Sequence, residues 1–284
     1  MCEDTSSNGQ PKEVIDAVTG LVQAVPVYQD AIQPAAKEVG KGLEVVAKSV
    51  NVALSPLKAV VWGYEQFEKF ISNDLSKRLR NTPEEDIVTP RLSIAGPSME
   101  ALRFAGDEKE LIDMFANLLA NSMDRKTESL AHPAFVEILK NMSSDEAKIM
   151  RFFATDMDSQ PIIDLVSVSK TNFLDLVSVS QNKKGKQTVF NKFSIIGEKG
   201  GCIAVGNTPQ YLDNLIRLGL LEVPYGLFLI EDECYQPLYK HDFVKHIEME
   251  LKKLGRKLEL NEGLIRKTGF GEQFCEVCAV SRLG

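Results

Sequence analysis

The sequence predicts a mainly α-helical protein with a small β component: an N-terminal helical bundle followed by a C-terminal winged-helix-like α+β domain. Three observations carry this. Apolar residues recur at helical spacing through the first half, the spacing becomes an alternation after Pro161, and the rear order of helix, short strands, helix and hairpin is that of a winged helix-turn-helix. The predicted organisation is a disordered tail over 1–13, a helical domain over 14–142, and a winged-helix-like domain with an extra β-hairpin over 143–284.

Val14, Val18, Leu21, Val22 and Val25 form the first apolar stripe, ended by Pro26, and Val39, Leu43, Val46, Val50 and Leu54 form the second. Trp62, Phe67, Phe70, Ile71, Leu75 and Leu79 predict a third helix. Pro83, Pro90 and Pro97 make 81–97 irregular, and a helix is expected after Pro97 with Ser98 near its start. Leu111, Phe115, Leu118 and Leu119 give one stripe, behind acidic residues suited to the helix N-terminus. A short helix follows Pro133. Ser143 and Glu146 have capping-box spacing and open a helix carrying Ile149, Met150 and Phe153.

"DLVSVS" occurs at 164–169 and 175–180 and predicts two strands, and 189–196 and 202–205 predict two more. Thr208, as N-cap before Pro209, starts a helix ended by Gly219, and a strand begins at Leu220. Residues 225–230 and 234–239 are expected to form a hairpin, and 241–255 a helix closed by Gly255. A short strand, a Thr268 cap and a last helix complete 264–280.

The 284 residues are 44% hydrophobic and 26% charged, which supports a folded core. No apolar run approaches the roughly 18 residues of a membrane span. The start Met1-Cys2-Glu3-Asp4 is unlike a signal peptide, and five scattered cysteines fit a reducing compartment, so a cytoplasmic location is expected. Net charge is −7 and uneven. Residues 1–180 hold 18 Lys and Arg against 27 Asp and Glu, and 181–284 hold 15 against 13. An acidic front half disfavours non-specific contact with nucleic acid.

Four stretches carry a family resemblance: "PRLSIAGPSMEALRFAGDEKELIDMFANLLANSMD" (90–124), "AHPAFVEILKNMSSDEAKIMRFF" (131–153), "YLDNLIRLGLLE" (211–222) and "RKTGFGEQFCEVC" (266–278). Together they resemble the abortive infection alpha family of bacterial proteins over most of 85–280. The resemblance implies a role in defence against phage, in which an infected cell stops growing or dies. It brings no reaction, cofactor or catalytic residue.

The residues themselves point to no enzyme and no cofactor. Cys275 and Cys278 have metal-ligand spacing, but a zinc site needs four ligands, and two half-buried small hydrophobes explain the pair as well. His241 and His246, five apart, do not share a helix face. The glycines of 197–207 lack the ending that lets a phosphate loop hold phosphate and metal, and read as a turn. A nucleic-acid or partner surface would be built from Asn214 and Arg217 on the 208–219 helix with Lys183, Lys184 and Lys186 of the preceding turn. One arginine beside Asp213 is thin for reading DNA, so this helix is expected mainly to pack.

The function expected is therefore a non-enzymatic two-part switch in anti-phage defence. The winged-helix-like domain meets a protein of phage or host origin, and the N-terminal amphipathic helices act as effector, with conditional membrane contact. The alternative is a nucleic-acid-binding regulator using the 208–219 helix.

Overall fold

The computed structural model describes residues 46, 48–50, 52, 54, 69–105, 108–155, 159–169 and 186–282. The stripe at 14–25, Trp62 and Phe67, the second "DLVSVS", Lys183 and Lys184 lie outside them. Among the described residues the chain is mostly helical with a small four-stranded antiparallel sheet.

Helical turns Phe70–Leu75 and Ser76–Arg78 lead into an irregular stretch and then α1 (Leu92–Phe104), α2 (Lys109–Ser122), α3 (Ala134–Lys140) and α4 (Ser144–Thr155). Val46, Val50 and Leu54 are buried, as their helical spacing requires. Against expectation, α1 begins at Leu92 and contains Pro97. One turn in, a proline forfeits a single ladder bond, and burial of Ile94, Ala95, Met99 and Leu102 outweighs that loss. In α2 the whole predicted stripe is buried, together with Asn117 and Asn121. The capping box at α4 forms: Glu146 accepts from the Ser143 amide at 2.6 Å, and the Glu146 amide donates to the Ser143 hydroxyl at 3.3 Å.

The sheet comprises β1 (Ser159–Ser169), β2 (Gln187–Phe193), β3 (Leu221–Glu222) and β4 (Arg256–Lys267), in the order β2-β1-β4-β3. β1 and β4 pair along their full length, from Ser159 opposite Arg266 to Ser169 opposite Arg256. Alternation sends Ile162 and Ile265 to the main core and Ile163, Leu165 and Leu260 to a second, smaller one. The main core runs without a break from Val46 to Ala279, crossing residue 143.

Between the strands lie α5 (Ile196–Lys199), α6 (Thr208–Arg217), α7 (Gln236–Tyr239) and α8 (Asp242–Lys253), with α9 (Gly269–Phe274) and a π-helical turn Cys275–Ala279 at the end. Several expectations are corrected here. Residues 202–204 are loop and Val205 opens a 3-10 turn rather than a strand, because the Ile203 and Ala204 amides bond the Asp145 carboxylate instead of a neighbouring strand. The stretch expected to extend to 196 as strand turns into α5 after Phe193. No hairpin forms over 225–239, since Pro237 suits the first turn of α7, where Leu238 is fully buried. The strand expected only near 264 reaches back to Arg256, where it completes the pairing with β1. At α6 the cap position is Asn207, and the Thr208 hydroxyl donates to the Val205 carbonyl at 2.6 Å. Gly219 and Gly255 have φ of 75° and 69°, the left-handed turns that end α6 and α8.

Candidate functional site

Two polar systems sit inside the helical core. The first hangs on Asp145 in the opening turn of α4. Its carboxylate accepts from the amides of Ile203 and Ala204, each at 2.9 Å, from Lys148 at 3.1 Å and from the Tyr211 hydroxyl at 3.2 Å. Burial opposes ionisation, but the Ala204 and Ile203 amides and Lys148 outweigh it and hold the carboxyl down to about 2. The loop before α6 is thus clamped onto α4. Asn214 adds a second tie, donating to the Asn141 carbonyl at 2.9 Å and to Glu146 at 2.8 Å.

The second system runs along α2. Buried Arg78 donates to Asn117 at 2.6 Å, to Asp113 at 2.9 Å and to the Asp74 carbonyl at 2.7 Å. Asp113 also receives Arg151 of α4 at 3.3 Å, and Arg151 reaches Glu110 as well. On the other side, Asn117 and Asn121 donate to the carbonyls of Cys278 and Val277, both at 2.8 Å. Arg282 pairs with Asp124 just beyond α2. One helix therefore holds the segment before α1 and the end of the chain through a continuous set of bonds.

A cleft of about 450 Å³ opens between α4 and α5, lined by Glu110, Lys148, Arg151, Phe152, Thr155, Lys199, Gly200 and Gly201. Its cations are engaged: Lys148 with Asp145, Arg151 with Glu110 and Asp113, and Lys199 with Gln160 and the Phe152 ring. Among its described lining residues there is no cysteine or histidine.

The residues singled out from sequence are scattered. Asn214 and Arg217 face one another, both guanidinium donors resting on the Asn214 oxygen at 3.0 and 2.6 Å. Lys186, just before β2, pairs with Glu259 of β4 at 2.7 Å. Asp213 is engaged by Lys192 at 2.9 Å. Cys275 and Cys278 are buried, and burial pushes the first thiol up to about 12 and the second well above the ordinary range. Among the described residues, no group of three His, Cys, Asp or Glu is placed to hold a metal ion. His132 accepts from the Ala134 amide at 3.1 Å and packs on Phe135 and Phe270, and His241 caps α8 by accepting from Phe243.

Sequence reading missed both polar systems. Asp145 lies beside the capping box that drew attention, and apart from Lys148 its carboxylate's partners come from 58 and more positions away. Asn117 and Asn121 carried a usable signal, being two carboxamides one turn apart among the buried apolar residues of α2.

No curated protein matches the chain in sequence. Among solved structures, an uncharacterized protein from the hydrocarbon-degrading marine bacterium Alcanivorax borkumensis SK2 aligns at 16% identity and a TM-score of 0.34, over 55% of this chain and 96% of that one. The model of the family described as abortive infection alpha matches residues 63–278, a span that takes in the whole sheet and, apart from Arg282, both polar systems, and the chain belongs to that family.

Proposed function

We propose that this protein serves abortive infection as a binding switch rather than as a catalyst. Family membership associates it with phage defence at that general level. In this reading it is a cytosolic protein whose residues 143–284 meet a protein of phage or host origin. The N-terminal helices deliver the effect, with the membrane as a conditional target. The observation that carries the reading is α2, which holds the segment around Arg78 by one set of bonds and the C-terminal turn by another. A change at either end is felt on one helix, which a two-part switch requires.

The order α4, β1, β2, α5, α6, β3, α7, α8, β4, with β4 between β1 and β3, supports a winged-helix-like reading of the rear part, with β2 added before α5 and α7 and α8 inserted between β3 and β4. Such domains use the helix in the position of α6 to read DNA. Here Asn214 is bonded inward and Arg217 lies on it, which favours packing and protein contact. The nucleic-acid regulator remains the second reading, because Gln210 and Arg217 are exposed on α6. Lys186→Glu together with Arg217→Glu would then abolish binding to duplex DNA and its salt dependence.

The test is phage challenge of cells expressing the full chain, or a chain lacking 1–45, with entry of a membrane-impermeant dye followed in time. Loss of protection by a shortened chain that still folds is expected. Full protection without 1–45 refutes the division of labour, and protection without early dye entry removes the membrane as target.

A further inference from the structure

The segment between β3 and β4 carries two exposed patches of opposite character. The first is the loop 223–233. Tyr225, Leu227, Phe228 and Ile230 are exposed, Ile230 at 93% and Phe228 at 57%. Single exposed apolar residues are ordinary, but four within six positions mark a contact surface. The loop is held in shape from below. Buried Tyr235 accepts from the Leu229 amide and donates to the Gly263 carbonyl, both at 2.9 Å, while Leu229 packs into the small core. Between Arg217 and Lys240 the chain has four carboxylates and no cation. Glu222 is paired with Arg266, and Glu231, Asp232 and Glu233 form no ion pair among the described residues.

The second patch lies on and just after α8. Met249 and Leu254 are exposed at 55% and 72%. In sequence they are flanked by Lys245, Lys252, Lys253, Arg256 and Lys257, against Asp242, Glu248 and Glu250, which leaves a basic excess. The ion pairs there, such as Lys252 with Glu248 and Lys253 with Glu250, are one-turn surface pairs, weak enough to be exchanged for stronger partners. One patch is apolar and acidic, the other apolar and basic. Both ride on one unit, since Leu229 of the loop and Val244 and Ile247 of α8 share the small core with Tyr235.

We propose that this segment is a self-association surface, the acidic apolar loop of each copy seating on the basic apolar end of α8 of a second copy. Because each copy offers both halves, two reciprocal contacts close a two-fold dimer. Like-to-like pairing of the loops is disfavoured by their charge. This interface goes beyond the proposed function, and its failure would leave the switch untouched.

Sedimentation velocity of the purified full chain across a concentration series tests it. A reversible dimer is expected, weakened several-fold on going from low salt to ~0.5 M. Phe228→Ser should weaken it about 30-fold or more without altering the fold. Two further variants reverse charge, Glu231→Lys/Asp232→Lys/Glu233→Lys in the loop and Lys252→Glu/Lys253→Glu/Lys257→Glu on the helix. Each alone should be monomeric, and an equal mixture should form a heterodimer through the contact between the two reversed surfaces. A monomeric wild-type chain overturns the proposal and leaves the loop to another protein. A dimer indifferent to Phe228→Ser, a charge-reversed pair that fails to associate, or an open-ended wild-type polymer each overturns it too.

Discussion

Replacing Asp145 by asparagine tests the clamp between α4 and the loop before α6. The carboxyl is 8% exposed, so solvent screens its contacts little. Its folded pKa of about 2 lies below the ordinary value of 3.8. At 1.36 kcal/mol per unit, ionised Asp145 contributes about 2 kcal/mol of stability. The folded value is depressed, so the contribution is complete above about pH 4 and is lost as pH falls towards 2. The substituted carboxamide keeps an acceptor but turns an amide donor towards a group of donors. Urea unfolding should therefore show Asp145→Asn less stable by about 2–3 kcal/mol at pH 7. The gap between the two proteins should close to below ~1 kcal/mol near pH 2, because protonated Asp145 resembles the amide. The Ile203 and Ala204 amides should also lose hydrogen-exchange protection at neutral pH. A gap independent of pH, with those amides still protected, would refute the reasoning.

Arg78→Met should cost about 2–4 kcal/mol in denaturant unfolding, because it leaves the buried Asn117 oxygen without its donor and takes from Asp113 one of its two arginine partners; a loss under ~1 kcal/mol would mean that water replaces the guanidinium. Gly271→Ala should lower the melting temperature sharply, since a Cβ there would lie 2.0 Å from the Leu220 carbonyl oxygen, whereas Gly206→Ala meets no atom within 4 Å and should be mild. Cys275 and Cys278 should resist alkylation at pH 8 in the folded protein and react on unfolding, with part-exposed Cys234 labelled first among the four described cysteines; rapid native labelling of either would contradict their burial.

Local rules predicted several elements well. The stripe of α2, the capping box of α4, the Thr268 cap and the glycine ends of α6 and α8 depend on residues within about one turn, so the sequence holds all the information they need. Periodicity misled where the partner was distant. The run 202–205 has strand-like residues, yet its amides belong to Asp145 on another helix. The stretch 225–239 has hairpin-like apolar runs, but burial of Tyr235 and Leu238 under the sheet made part of it helical and left the rest a presented loop.

The candidate surfaces divide in the same way. Asn214 and Arg217 stood out as exposed polar positions on a helix, and the fold turned Asn214 onto Asn141 and Glu146. The complementary charges of 222–233 and 245–257 are written in the sequence, but that they ride on one rigid unit follows only from the small core beneath them. By itself, then, the sequence determined the stripe of α2, the caps at Ser143 and Thr268, the charge pattern and the family, because each is a matter of composition or of neighbours along the chain. Only the tertiary structure decided which polar groups face inward, since the bonds of Arg78, Asn117 and Asp145 join residues dozens of positions apart and exist only once the apolar core has brought them together.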